Sequence, residues 1–379
     1  MKIMLVGPHP PHGGGSAYSC QELAWGLRRI GHEVLQVATY RDATDLEEHP
    51  ELIWIPTDLS SDTLSFTPEA RANMDHHLLA TYIERGPFDA IILGREFFLW
   101  HLPALRRIHH QPIVTICRGG HINRLSADET FPVELKEEFF QLYGNCDRII
   151  CIAHYLVEMV NRVVGTNNTL FLPNPIHFPP YNPTNISIPN SHEPIRILMA
   201  AQIKQRKRPL EAVEIVRQLT LADVNVRLTI CGDGSQRKEV EEAIRKYNLQ
   251  EKIIIKGHVE RTEVLNCLSQ TEIVLLCSDI EGRPRILQEA IALGKGVVAY
   301  DNPGSREVIN EWLEPWSFGR LVPIGDIVGA SDAIAQLAHS LRSNSQPATP
   351  PQPPNPIDVL YQYELLLRSL QVQTLEVVS

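Results

Sequence analysis

Two runs of alternating strand-like and helix-like segments, separated by one stretch that can be neither, constrain this 379-residue chain more than any other feature. In the first run "KIMLVG" reads as a strand, and "AYSCQELAWGLRRIG" as a helix on which Leu23, Leu27 and Ile30 share a face. "EVLQVAT", "LIWIP", a helix over 68–85, "DAIILG", a helix near 99–109, "PIVTIC", a helix over 132–143 and "RIICIA" follow. The stretch from Pro173 to Pro194, "PNPIHFPPYNPTNISIPNSHEP", holds too many prolines for a helix or a central strand and reads as a linker. The alternation then restarts: "IRILMAA", "VNVRLTICG", a helix over 235–247, "KIIIKG", "EIVLLCS", an apolar helix within "EGRPRILQEAIALG", and "GVVAYD". Apolar, β-rich strands joined by helices predict parallel sheets covered on both faces. The expected fold class is therefore α/β, with two doubly wound Rossmann-like domains facing a cleft and a ligand site at the strand C-termini.

The expected boundaries are a first domain over 1–175, a linker over 176–194 and a second domain over 195–344. A proline-rich tether, "SQPATPPQPPNP" (345–356), leads to a C-terminal segment (357–379) that begins with the amphipathic "VLYQYELLLRSL". A net charge of −10 argues against a general nucleic-acid binder, whose affinity rests on phosphate neutralisation. The seven cysteines lie mostly in apolar runs without CxxC spacing, as reduced, buried residues of a cytoplasmic protein would. "MKIMLVG" is too short for a signal peptide, and no apolar run reaches the roughly 20 residues of a spanning helix, so any membrane contact is expected to be peripheral. His76–His77 and His109–His110 lack a metal-binding context and read as surface residues; no metal site is expected.

Three stretches could carry chemistry. "HPPHGGGSAYSCQELA" joins the first strand to the first helix. Its Gly13, Gly14 and Gly15 would let a ligand approach the backbone and the helix N-terminus, although a ligand-free tight turn fits equally. "AAQIKQRKRPLEAV" sets Lys204, Arg206, Lys207 and Arg208 after a strand, as either a solvated face or an anion site. "EGRPRILQEAIALGKGVVAYD" places Glu281 just before a helix and Glu289 in its second turn. On a helix their spacing gives about 12 Å of rise and about 80° of rotation. That is too wide for two carboxylates working on one glycosidic bond, which sit roughly 5–9.5 Å apart. The N–H groups of Arg285, Ile286 and Leu287 lie between them at the positive end of the helix dipole. Acid, anion hole, acid suits a sugar diphosphonucleoside; helix capping by Glu281 with an Arg285–Glu289 pair is the plainer alternative.

Taken together, "GG…ELA…L…GHEV", "CDRIICIAHYL", "LPNPIHF", "CGDGSQRKEVE", "IIIKGHV" and "EIVLLCSDIEGRPRILQEAIALGKGVVAYDNPGSREVI" resemble the retaining, GT-B-fold glycosyltransferases of the group 1 family (family 4), through nearly the whole chain. The Glu281–Glu289 stretch is similar to that family's E-x7-E element, and its wording is most similar to bacterial members that build surface polysaccharides or lipid-linked glycans. The resemblance implies a nucleotide-sugar donor held mainly by the second domain, a glycan or lipid-linked sugar acceptor held mainly by the first, retention of anomeric configuration, and no cofactor or metal. It implies that Glu281 contacts donor sugar hydroxyls, that Glu289 binds the ribose and that Lys207 neutralises the departing diphosphate. The backbone from Gly257 to Val259 would meet the nucleobase, and Gly14 and Gly15 the donor phosphate or the acceptor. The final helix would cross back onto the first domain.

Two positions depart from the family pattern. Gln202 stands where an arginine is usual, and a neutral amide brings no charge to a leaving diphosphate. Arg118 stands where a histidine is usual, with His121 three residues on, and could contact donor phosphate or an anionic acceptor. The expected function is a cytoplasmic retaining glycosyltransferase, soluble or peripheral at the inner membrane face. The alternatives are a catalytically impaired sugar-nucleotide or glycan-binding protein of the same fold, and a sugar-nucleotide epimerase.

Overall fold

The structure, a computed structural model, describes residues 1–11, 14–40, 49–57, 67–127, 131–178, 193–312, 317–343, 350–351 and 353–378. Gly13, most of the expected linker (179–192) and half of the tether (345–349 and 352) lie outside the described residues. The chain divides into two compact units, Met1–His177 with Pro354–Ser379, and Phe178–Pro353.

The first unit contains strands β1 (Lys2–Val6), β2 (Glu33–Tyr40), β3 (Leu52–Pro56), β4 (Ala90–Leu93), β5 (Ile113–Cys117), β6 (Arg148–Cys151) and β7 (Thr169–Phe171). Helices α1 (Gly15–Arg29), α2 (Pro68–Arg85), α3 (Leu102–Arg106), α4 (Gly120–Ala127), α5 (Val133–Gly144) and α6 (His154–Val164) alternate with them. The strands form one parallel sheet in the order β3-β2-β1-β4-β5-β6-β7. Helices on both faces explain why β1, β4 and β5 are continuous apolar runs rather than alternating ones: nearly all their side chains are buried. Local signals set the ends of several helices. The Thr67 hydroxyl accepts from the Ala70 N–H at 3.2 Å ahead of Pro68, and Gly165 ends α6 in the left-handed conformation (φ 70°).

The expected helix near 99–109 is instead a 3-10 turn (Glu96–His101) followed by the short α3. All six residues of that turn are buried, including Phe97, Phe98 and Trp100, so no exposed face remains to write a helical period. The reading of His109 as a surface residue is also corrected. It is buried, with Nδ1 3.0 Å from the Tyr82 hydroxyl and Nε2 3.4 Å from the Pro112 carbonyl oxygen.

The second unit contains β8 (Ile195–Ala200), β9 (Val226–Cys231), β10 (Ile253–Gly257), β11 (Ile273–Leu276), β12 (Gly296–Tyr300) and β13 (Gly319–Val322). With them run α7 (Pro209–Leu221), α8 (Arg237–Lys246), α9 (Arg261–Ser269), α10 (Arg285–Ala292), α11 (Pro303–Trp312) and α12 (Ile327–Ser343). Its parallel sheet has the order β10-β9-β8-β11-β12-β13. Both units are thus doubly wound and Rossmann-like, each around its own apolar core.

The last helix, α13 (Pro356–Val378), belongs to the first unit although it follows the second in sequence. Val359, Leu360, Tyr363, Leu366, Leu367 and Leu370 recur at helical spacing and join the core of β1 and α1. Leu360 lies over Gly26 of α1, where a Cβ would come within 2.6 Å of it; the absent side chain lets the two helices meet. No described helix is long and apolar enough to cross a membrane.

Candidate functional site

In a doubly wound sheet the chain changes direction between the two strands whose following loops diverge, and ligands collect outside the strand carboxyl ends there. In the second unit those strands are β8 and β11, neighbours in the sheet. β8 leads into Gln202–Arg208 and β11 into Cys277–Glu281. The two loops bring together residues far apart in sequence: Lys207 Nζ donates to Glu281 Oε1 in an ion pair whose side chains are only 12% and 14% exposed. Burial by itself would raise the Glu281 carboxyl. The adjacent Lys207 ammonium, its hydrogen bond and the nearby Arg206 outweigh it and hold the carboxyl below the usual range.

Close packing fixes both loops. The Ile203 N–H donates to the Asp233 carbonyl at 2.9 Å, and the Ile203 carbonyl accepts from the Gln236 N–H at 3.0 Å. A Cβ on Gly232 would sit 1.9 Å from the Ala201 oxygen, so the first glycine of "CGDG" is there for close backbone approach. On the other side, Asn302 Nδ2 donates to the Ser278 carbonyl at 2.9 Å, while its Oδ1 accepts from the Ser305 N–H at 3.0 Å. The first turn of α11 presses on the loop: a Cβ on Gly304 would lie 2.3 Å from the Glu281 carbonyl oxygen. Arg283 is buried between Glu307 (3.1 Å) and Glu311 (2.6 Å) of the same helix.

Pro284 is the N-cap of α10, and its own side chain makes no capping hydrogen bond. The Ile286 and Leu287 N–H groups stand in its first turn, where a helix offers no internal acceptor. The Arg285–Glu289 pair does form, Nε to Oε1 at 2.6 Å. A second guanidinium joins it: Arg261, at the start of α9, reaches Glu289 Oε1 with Nη2 and Oε2 with Nη1 at 3.3 Å. Glu289 is 1% exposed beneath these two arginines. Gly257 ends β10 in the left-handed region (φ 75°), its carbonyl accepting from the Gly232 N–H at 2.8 Å, and Val259 packs on the core. Gln202 is half-buried beside Ile203.

The remaining expected site residues lie in the first unit: Gly14 and Gly15 follow β1, which pairs with β4 at the change of direction, and Arg118 follows the next strand, β5. Gly14 is the N-cap of α1, with φ 60°, and a Cβ on Gly15 would meet nothing within 4 Å. Arg118 follows β5, and its guanidinium is engaged inside the unit. Nε donates to the Gly94 carbonyl (2.8 Å), Nη1 to Asn174 Oδ1 (2.6 Å), and Nη2 to Cys20 Sγ (3.5 Å). His121 does not replace it at a surface, being buried against Phe97 and Phe139. Sequence reasoning missed Asp279, Asn302 and Arg261. Only the carboxylate two positions before Glu281 offered a local hint.

Two doubly wound units, the second with a lysine–glutamate pair ahead of the N-terminus of α10, define a protein of the GT-B fold. Two family models account for most of its length: "Glycosyltransferase Family 4" matches residues 13–177 and "Glycosyl transferases group 1" residues 183–347. The chain belongs to the group 1 glycosyltransferase family. It is 27% identical over 236 residues to the amylovoran biosynthesis glycosyltransferase AmsK of Erwinia amylovora, a match covering 59% of this chain and 54% of that protein. The chain thus spans about half the length of that relative. Among solved structures, sucrose-phosphate synthase of Thermosynechococcus elongatus aligns over 100% of both chains with a TM-score of 0.75 at 18% identity. HepE of Anabaena, solved in complex with UDP and glucose, aligns over 97% of this chain and 100% of its own, with a TM-score of 0.72 at 16% identity.

Proposed function

We propose that the chain is a retaining, metal-independent glycosyltransferase. It would move a sugar from a nucleoside diphosphate to a hydroxyl of a glycan or lipid-linked sugar acceptor, in the cytoplasm or at the inner face of a membrane. The observation that carries this reading is the Lys207–Glu281 pair, with Glu281 four residues ahead of the first turn of α10. Breaking the bond between the anomeric carbon and the phosphate oxygen leaves the electron pair on the diphosphate. The Lys207 ammonium and the Ile286 and Leu287 amides supply the positive charge that this step needs, in the role a divalent cation could otherwise fill. The acceptor oxygen bonds to the anomeric carbon on the face the phosphate leaves, and its proton passes to the departing phosphate oxygen. Glu281 would orient the sugar hydroxyls, and the backbone from Gly257 to Val259 the base. A ribose hydroxyl would donate to Glu289 Oε2, a carboxylate oxygen that holds one 3.3 Å bond from Arg261 and keeps a further lone pair. The similarity to an amylovoran biosynthesis glycosyltransferase supports a surface polysaccharide or related glycan as product, and the UDP and glucose bound by HepE support a nucleotide-sugar donor.

Kinetics on a panel of UDP- and GDP-sugars tests the reading. Lys207→Ala should lower kcat by about 100-fold or more with little change in donor KM, because its charge matters most as the leaving group departs. Glu289→Ala should raise donor KM by about tenfold, the expected loss of one good polar contact. Near-wild-type turnover in the lysine variant would remove Lys207 from the mechanism. A second reading, donor binding without transfer, rests on neutral Gln202 and on the three intramolecular bonds of Arg118. It would be supported by a protein that binds these donors yet releases no nucleoside diphosphate.

A further inference from the structure

Lys207 is held by more than its own ion pair. The carbonyl of Arg206 before it accepts from the Asp279 N–H at 2.9 Å, and the guanidinium of Arg208 after it grips the Asp279 carboxylate through Nε. Both neighbours of Lys207 are therefore tied to the residue two positions before Glu281. Arg208 has a second anchor: Nη1 donates to Glu211 Oε1, and the other oxygen of Glu211 accepts from the hydroxyl of Tyr300, a fully buried residue of β12. The backbone at Arg208 is left-handed (φ 46°, ψ 51°), a conformation that costs a non-glycine residue roughly 1–2 kcal/mol. Strain of that kind persists where surrounding contacts over-determine it. Here the Arg208 N–H donates to the Gln205 carbonyl (2.9 Å), its carbonyl accepts from the Glu211 N–H (3.1 Å), and its side chain adds the bonds to Asp279 and Glu211.

From this geometry we propose that Arg208 and Asp279 are positioning residues, a clamp that fixes the Lys207 ammonium against Glu281. The inference rests on the reading of Lys207 as the group that meets the departing diphosphate. The clamp ties the β8 loop to the β11 loop at the change of direction in the sheet, so the spacing of Lys207 and Glu281 is set before any donor arrives. Prepaid positioning of this kind acts on the chemical step rather than on donor affinity.

The test compares Arg208→Gly, Asp279→Asn and the double variant in the full chain. Glycine suits the left-handed backbone, so the first change removes the guanidinium without adding strain. Asparagine keeps the Asp279 N–H and its shape but not its charge. The kinetic readout is nucleoside diphosphate release from whichever of UDP-glucose, UDP-galactose, UDP-N-acetylglucosamine and GDP-mannose the unaltered protein consumes fastest. Each single variant should lose about tenfold or more in kcat with KM within about twofold, and the double should be no worse than the poorer single. The second readout needs no activity. The Lys207–Glu281 coupling, taken from thermal unfolding of Lys207→Met, Glu281→Gln and their double, should shrink by about half or more when Arg208 is glycine.

Unchanged coupling overturns the clamp, even where kcat falls, since Arg208 would then act on the donor itself. So does a rise in KM without loss of kcat, or wild-type kinetics in both single variants of an enzyme that does depend on Lys207. If the unaltered protein releases no nucleoside diphosphate but the coupling depends on Arg208, the clamp stands and the transferase reading falls.

Discussion

With 1% of its surface exposed and its ring between Tyr82 and Pro112, His109 is pulled by burial from 6.5 down to about 4. The folded state therefore resists a proton that the unfolded state accepts. Stability is full above the unfolded value and falls as the pH drops from about 6.5 toward about 4, by up to about 3 kcal/mol. His109→Gln should flatten the dependence of melting temperature on pH across that window, and an unchanged slope would show that other groups cause it. Glu281 carries the opposite charge logic in the second unit, its depressed carboxyl reporting the Lys207 ammonium beside it. Residue types at these positions were legible in the sequence; their partners were not. Arg208 finds Asp279 71 positions away and Arg261 finds Glu289 28 positions away, so neither contact leaves a local pattern. The sequence therefore left two readings of Glu289 open, an Arg285 pair and a ligand contact, and the pair has formed.

Among the elements, α11 has the most direct hold on the site loop. Its Gly304 packs so closely that a Cβ would meet the carbonyl oxygens of Glu281 at 2.3 Å and Gly282 at 2.6 Å, both unyielding backbone atoms. Gly304→Ala should cost on the order of 1–3 kcal/mol in stability and shift Glu281 away from Lys207. Gly144→Ala, at the end of α5 with nothing within 4 Å of a new Cβ, should be neutral or stabilising by up to about 1 kcal/mol. Equal melting temperatures for the two variants would contradict this account of the loop. Element existence was largely legible, because buried parallel strands write long apolar runs and their helices a 3.6-residue period. It was not read at α4, α6, α11, α12 or β13, and the physics gives no period to read in the all-buried turn at Glu96–His101 or the three-residue edge strand β7.

At the scale of the molecule, the C-terminal helix completes a core that the N-terminal residues begin. Removing residues 354–379 would uncover the apolar surface that Leu360, Tyr363 and Leu367 occupy in the first unit. Amide exchange should then quicken in β1 and α1 and stay unchanged in β8–β13, and equal effects on both units would argue against separate cores. The doubly wound class was legible because two strand–helix runs flank one proline-rich break. The return of α13 to the first unit came only from resemblance to the family, since an amphipathic helix does not name its partner. The central claim is that the loops after β8 and β11, with the first turns of α10, hold a nucleoside diphosphate. Hydrogen exchange of the full chain with and without UDP or GDP tests it most directly. The account predicts slowed exchange in peptides covering 202–208 and 278–289 with one of the two nucleotides, and none over 237–246. Protection confined to other segments, or absent with both nucleotides at millimolar concentration, would contradict it.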